Sequence, residues 1–370
     1  MLRLCLCLAI LVGAIPHPAS AAAESAPALL WTDLRELGVE GQGWTDTQAP
    51  YDRLPAKAEG EVRSAVWNLS RHSAGLHVRF ITEARVIHAR WVLTSSSLAM
   101  PHMAATGVSG LDLYVKTERG SWRWLAVGKP ESQTNTCRLV GGLPSGKREY
   151  LLYLPLYNGT RRVELGVPVG TTLTQAGPWG PGTRKPMVFY GTSILQGGCA
   201  SRPGMVHSAI LGRRFQFPHI NLGFSGNGRM EPELADLLAE LDPSVYVLDC
   251  LPNMDAAGVR ERVEPFVRKL RTARPRTPIV LVEDRSYADA FLVASKREHN
   301  DTSRVALKAA FENLKKSGVK DLHYLRGAAL LGDDGEGTVD SSHPNDLGFM
   351  RQADAFARVL GPLLRRATRE

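Results

Sequence analysis

The chain has no apolar run long enough to cross a bilayer, the one near its start, Leu4 to Ile15, being too short as well, so no integral membrane segment is expected. Cysteine is scarce, with five in 370 residues. Only Cys137, Cys199 and Cys250 lie beyond the N-terminal leader described below, and an odd number excludes a fully paired disulfide framework. Cys199 and Cys250 either pair in an oxidising compartment or stay as buried thiols. The sequence has no His-Glu-x-x-His and no paired Cys-x-x-Cys, so no metal and no cofactor are expected. Long basic runs are missing too. Lys and Arg are scattered, and Arg365-Arg366 is too short to suggest nucleic acid. Internal repeats are absent, and low complexity is confined to the leader and one linker.

What is present begins with that leader. Arg3 precedes an apolar run from Leu4 to Ile15, and Ala19-Ser-Ala21 gives a small-x-small cleavage pattern. This predicts a secretory signal over 1–23 and a secreted or periplasmic mature protein. Its removal takes Arg3 and leaves the net charge at 44 − 37 = +7, against +8 for the whole chain. Such a balance suits acidic glycans or an anionic cell surface, and equally a solvated surface. Asn-x-Ser/Thr sequons stand at Asn68, Asn158 and Asn300.

The length predicts two domains. Short runs rich in Val, Trp, Tyr, Leu and Thr recur between turns over residues 24–176: Ala65–Leu69, Leu76–Ile81, Val86–Thr94, Leu111–Lys116, Trp122–Val127, Tyr150–Leu156 and Arg162–Gly166. They predict an all-β sandwich of jelly-roll type without helices. Trp122 and Trp124 alternate with polar residues and are expected to face its core. A Gly/Pro-rich linker occupies 177–184. Over 185–370 buried strands alternate with helical patterns, which predicts a parallel sheet covered by helices on both faces. In that arrangement ligands sit outside the carboxyl ends of the strands.

The chemistry-bearing residues fall at those ends. Met187–Tyr190 runs into Gly191-Thr-Ser193. The next strand leads to Asn221-Leu-Gly223, the third to Asp249-Cys-Leu-Pro-Asn253, and the fourth to Glu283-Asp-Arg285. Asp340-Ser-Ser-His343-Pro precedes the last helix. Acyl transfer needs this set. A serine hydroxyl requires a neighbouring base, here His343, and Asp340 can fix the imidazole tautomer. The backbone N–H groups of Ser193 and Gly223 and the Asn253 amide are expected to form an oxyanion hole. Position 195 is Leu, so Ser193 lacks the Gly-x-Ser-x-Gly elbow of α/β-hydrolases. Arg202 either meets an anionic substrate or braces its loop. Glu283 and Arg285, with Asp284, form either a rim for sugar hydroxyls or a salt-bridged loop. His207 and Cys199 read as structural.

In order and context, Ser193, Gly223, Asn253 and Asp340-x-x-His343 resemble the SGNH hydrolases, also called GDSL-type esterases and lipases. The stretches Gly191–Met205 and Arg148–Gly159 resemble a bacterial subgroup with an N-terminal β-sandwich. The resemblance implies a flavodoxin-like three-layer α/β/α hydrolase that cleaves acyl esters without metal or cofactor. Thr192 stands where the family has Asp, next to the nucleophile. Met254 stands where the family has a second Asp after Asn253. The expected function is an exported serine esterase removing acyl groups, acetyl above all, from carbohydrates. Alternatives are a lipase, lysophospholipase or thioesterase with a long acyl channel, and a glycan-binding protein on a degenerate hydrolase.

Overall fold

The computed structural model describes residues 28–180 and 184–368. The leader and residues 181–183 of the linker therefore lie outside the described residues.

Among the described residues nine strands build the N-terminal part: β1 (Leu29–Asp33), β2 (His77–Thr82), β3 (Val86–Leu93), β4 (Leu111–Lys116), β5 (Trp122–Gly128), β6 (Thr134–Gly141), β7 (Arg148–Tyr153), β8 (Thr160–Pro168) and β9 (Leu173–Gln175). They form two antiparallel sheets, ordered β1-β8-β3-β6 and β5-β4-β7-β2-β9. In β3 every second residue is buried, as a strand with one covered face requires. Ile87, Ala89 and Trp91 meet Val78, Phe80, Leu113 and Leu152 of the facing sheet, and this is the sandwich core.

Two expectations fail in this region. Residues 64–70 are not a strand but the helix α1 (Ser64–Ser70), followed later by the short α2 (Ala105–Val108). Val66, Trp67 and Ser70 in α1 are buried at helical spacing, so a helix covers one continuous face where a strand would split it. Trp122 and Trp124 also point away from the sandwich core. A bulge between Leu113 and Tyr114 resets the pairing of β4 with β5, so Trp124 lies opposite Tyr114 on the outer face. There Trp124 is 49% exposed and donates to Asp112, while Trp122 packs on Trp179.

The C-terminal part carries five strands, β10 (Met187–Gly191), β11 (His219–Gly223), β12 (Val245–Asp249), β13 (Ile279–Val282) and β14 (Leu322–Leu325). All are parallel, in the order β11-β10-β12-β13-β14. This is the flavodoxin-like order, with its switch point between β10 and β12. Six helices accompany them: α3 (Ser193–Gln196), α4 (His207–Phe215), α5 (Pro232–Glu240), α6 (Ala256–Ala273), α7 (Ala294–Lys316) and α8 (Asp346–Ala367). Alternate strand residues divide between two cores. Val188, Tyr190, Tyr246 and Leu248 face α5, α6 and α7. Met187, Phe189, Val245 and Val247 face α4 and α8.

The two parts share their cores. Trp44, Leu54, Val66 and Trp67 from the segment between β1 and β2 pack with Ile220, Leu222 and Phe224. Arg53, 1% exposed, donates to the carbonyls of Gly223 at 2.7 Å, Asn221 at 3.2 Å and His72 at 2.8 Å. The described end of the linker is docked as well, with Trp179 buried beneath Arg79.

Candidate active site

β10 is buried at all five positions and ends at Gly191, where a Cβ would stand 2.6 Å from the Asp249 carbonyl of β12. Only glycine allows the strands to close up there. Thr192 then caps α3 by accepting from the Ile194 N–H at 3.3 Å. A threonine thus does the capping that Asp could also do. Ser193 is the first residue of that helix, so its own N–H has no preceding helical carbonyl to bond, and it finds no acceptor among the described residues.

From the other side of the sheet edge, the loop before α8 brings an imidazole to this serine. The Ser193 Oγ lies 2.8 Å from His343 Nε2, and His343 Nδ1 lies 2.7 Å from Asp340 Oδ2. Asp340 Oδ1 accepts the backbone N–H of His343 at 2.7 Å and of Ser342 at 3.1 Å. Burial alone would raise the Asp340 carboxyl. The backbone amide and imidazole of His343 outweigh it and hold the group below the usual carboxylate range. An ionised Asp340 accepts a hydrogen bond from Nδ1–H, which keeps the proton on Nδ1 and leaves Nε2 free to accept from the serine. The loop is tight: Ser341 has a φ of 79°, and its hydroxyl and carbonyl are tied to Asp289 and to the Ala288 N–H.

Three donors were expected beside the serine. The Asn253 amide nitrogen follows β12 in a short 3-10 turn, is buried, and has no hydrogen-bond partner among the described residues. A buried donor left unpaired costs about 1–3 kcal/mol, unless something that arrives during the reaction accepts from it. Gly223 differs from expectation. Its N–H is taken by Asn221 Oδ1 at 2.9 Å, and a Cβ there would stand 2.1 Å from the backbone N of Gln196. Gly223 therefore packs the nucleophile helix and offers no free donor. Three residues on, Gly226 is exposed, has a φ of +68°, and its N–H finds no acceptor among the described residues. Its neighbour Ser225 donates its backbone N–H to Gln196 of α3 at 3.0 Å, which places Gly226 beside the serine helix.

The remaining candidates turn inward. Arg202 braces: it pairs with Asp112 at 2.9 Å and bonds the Tyr114 hydroxyl at 2.5 Å, leaving no free fork for a substrate. Arg285 is 1% exposed and grips Asp249 and Gln352 beneath the strand ends. Glu283 accepts from the Tyr324 hydroxyl at 2.7 Å and the Gly327 N–H at 2.8 Å, and Asp284 is buried against Asn300. These three residues lock the sheet edge and form no sugar rim. Cys137, Cys199 and Cys250 are all free thiols. Burial, with the Asp340 charge, pushes the Cys199 thiol up to about 12, so it is no nucleophile. His207 is wholly buried between Phe349 and Phe356. Asn158 and Asn300 are buried too, which removes two of the three sequons.

Sequence reasoning missed the residues that the β-sandwich sends into the site. Tyr157 donates its hydroxyl to the Ser193 carbonyl at 3.0 Å. Gly198 fits between them: a Cβ would stand 3.0 Å from both His343 Cδ2 and the Tyr157 hydroxyl. Gln196, fully buried, meets His72 Nδ1 at 3.1 Å and the Leu156 carbonyl at 3.2 Å. Burial, with the nearby Arg53 charge, lowers His72 to about 4, so it is neutral there. The available signal was the Pro155, Asn158 and Gly159 cluster after β7, which marks a loop at the end of the sandwich.

Among the described residues no group of His, Cys, Asp and Glu is arranged to hold a metal ion. The arrangement has what an acyl transfer requires: a hydroxyl, a base with its carboxylate, and unpaired N–H donors at one strand edge.

Comparison with known proteins agrees with this geometry. Residues 184–361 match the model of the GDSL-like lipase/acylhydrolase family, and residues 29–173 match that of the N-terminus of SGNH-hydrolase-type esterases. A crystal structure from Bacteroides ovatus, named as a GDSL-like lipase, is 34% identical with a TM-score of 0.86, covering 91% of this chain and 98% of its own. The salicylyl-acyltransferase SsfX3 of a tetracycline biosynthetic pathway is 21% identical with a TM-score of 0.73, covering 92% of this chain and 98% of its own. A family two carbohydrate esterase from Clostridium thermocellum, in complex with cellohexaose, shares the fold at 16% identity and a TM-score of 0.55, covering 77% of this chain and 92% of its own. The curated proteins give no match. On the strength of 34% identity across both parts, the chain belongs to the GDSL-like lipase/acylhydrolase family and is an SGNH-type hydrolase of the esterase kind.

Proposed function

We propose that the protein is an exported serine esterase that removes O-acyl groups, acetyl above all, from carbohydrates. The observation that carries the catalytic part is the continuous relay from Asp340 through His343 to the Ser193 hydroxyl, at 2.7 and 2.8 Å. His343 takes the Ser193 proton as Oγ attacks the ester carbonyl. The negative charge that develops on the carbonyl oxygen is met by the Ser193 N–H, the Asn253 amide and the Gly226 N–H, the last replacing Gly223. Collapse expels the alcohol, which receives the proton from His343 Nε2. Water, activated by the same imidazole, then releases the acyl group and restores the serine. The domain limits 24–176, 177–184 and 185–370 belong to the same reading. Export rests on the residues of 1–23. The carbohydrate acceptor rests on fold likeness to carbohydrate esterases, which is an argument by association.

The test is hydrolysis of p-nitrophenyl acetate by the wild type and by Ser193→Ala. The wild type turns over, and the variant, still folded by circular dichroism, loses at least a thousandfold. Retained activity in Ser193→Ala refutes the reading.

A second reading, a lipase-like or thioesterase activity on long acyl chains, has one observation in its favour. Phe291 is 75% exposed and Leu292 78% exposed, on the segment tied to Ser341. A chain-length series from acetate to laurate separates the two, since a maximum at long chains favours this one.

A further inference from the structure

The β-sandwich sends one more group to this site, and the steps above give it no task. Pro101-His102 is the tip of a tight hairpin closed by the reciprocal bonds Met100 N–H to Met103 carbonyl and Met103 N–H to Met100 carbonyl, both 3.0 Å. Met103, 4% exposed, is buried in a core shared with Leu156 of the sandwich and with Ile194 and Leu195 of the hydrolase side, which pins the tip. A neighbouring tie, the Thr106 hydroxyl to the Ser201 carbonyl at 2.6 Å, holds the same segment to the loop after α3. His102 itself is exposed. Its ring stands against the ring of His343, with centroids 5.9 Å apart and planes at 61°. Among the described residues no protein group hydrogen-bonds its ring nitrogens, though the hairpin that carries it is rigidly held.

The geometry of ester cleavage says what borders His102. The carbonyl oxygen must turn toward the N–H donors at the ends of β10 and β12. The departing alcohol must turn toward His343 Nε2, which protonates it. A side chain packed on the His343 ring therefore lines the alcohol's path rather than the acyl pocket. A neutral imidazole offers one donor and one acceptor, and a hydroxyl group offers the same pair. A purely apolar alcohol would leave both nitrogens unmatched.

We infer that His102 is the acceptor-side binding residue, holding a hydroxyl that neighbours the ester on the alcohol half of the substrate. This rests on the esterase reading and deepens it: the acceptor is a polyol or sugar, and the β-sandwich selects it. The inference is tested with a matched pair of acetates, glyceryl monoacetate and propyl acetate, with p-nitrophenyl acetate as the measure of esterase activity. Wild-type kcat/KM favours the glyceryl ester by at least tenfold. His102→Ala cuts that preference at least fivefold, chiefly through KM of the glyceryl ester, and His102→Gln, which keeps one donor and one acceptor, restores at least half of it. Thermal melting of both variants distinguishes a lost contact from a lost fold. If the wild type hydrolyses p-nitrophenyl acetate but shows no glyceryl preference, or if His102→Ala lowers both acetates equally, the inference is overturned and the esterase reading stands. If the wild type hydrolyses none of the three, both fall.

Discussion

Asn253 carries a buried amide donor that finds no acceptor among the described residues, just past the end of β12, the strand paired with the nucleophile's β10. Placed there, it can donate to an oxygen that becomes negative as the ester reacts. Asn253→Ala is therefore expected to lower kcat by about a hundredfold to a thousandfold with little change in KM, because the bond is made only in the transition state. Steady-state kinetics on p-nitrophenyl acetate checks it, and a change confined to KM counts against it. Gly198 gives a second prediction. A methyl group there presses on His343, Tyr157 and the Ser193 carbonyl at 3.0 to 3.1 Å. Gly198→Ala is expected to reduce kcat at least tenfold while the melting temperature falls by only a few degrees. At this scale Ser193, Asn253, Asp340 and His343 could be read from the sequence because each follows a strand or precedes a helix with its own signature. Gly223 misled for a physical reason: it ends a strand, yet a side chain two residues earlier already accepts from its N–H. Tyr157 and His102 were invisible because nothing local tells a loop tip which distant surface it meets.

Among the elements, the turn from β10 into α3 depends on two glycines rather than on the threonine between them. Gly191 lets β12 approach, and Gly223 lets α3 lie on β11, with Gln196 N only 2.1 Å from the place a Cβ would take. Gly223→Ala must move backbone against backbone. It is predicted to destabilise the protein by about 3 kcal/mol or more and to depress activity with stability, which denaturant unfolding would measure. Thr192→Asp, by contrast, keeps the cap and is expected to be nearly neutral in stability and in kcat. Elements were legible where one period dominated, as in β3 and α6, or where a short apolar run ended at a turn, as in β10. Residues 64–70 were misread because a short apolar run fits either period until its partner is known. Trp122 and Trp124 were misplaced because one bulge moves every later side chain of a strand to the other face.

At the level of the whole molecule, the two parts form one functional unit. Arg53 sits in the seam and donates to the carbonyl of Gly223 at 2.7 Å, and His72 reaches Gln196 of the nucleophile helix. Buried histidines make this seam acid-sensitive. At the seam, burial lowers His72 to about 4, and His219, stacked on His77, is also lowered; His207, inside the C-terminal part against α8, is lowered to about 3. Above pH 6.5 these rings are neutral in both the folded and unfolded states and add nothing. As the pH falls from about 6.5 toward 4, the unfolded chain binds protons that the folded chain refuses, and stability is lost over that window. Urea unfolding from pH 7 to pH 4 should show this decline, and His72→Gln should make it shallower. A wild-type stability that holds flat to pH 4 contradicts the seam as described. The division into two parts was legible from composition, but their shared cores were not, because Trp44, Leu54 and Trp67 precede most of the sandwich and pack on the hydrolase sheet instead.

If Ser193 is the nucleophile of an acyl transfer, an organophosphate that mimics the tetrahedral intermediate captures it covalently. The protein is incubated with diethyl p-nitrophenyl phosphate, and the intact mass and the modified peptide are read by mass spectrometry. One diethylphosphoryl group per chain is expected, on Ser193, with loss of p-nitrophenyl acetate hydrolysis in proportion and no adduct in His343→Ala. An unmodified protein, or a label on any other residue with activity lost in step, would contradict it.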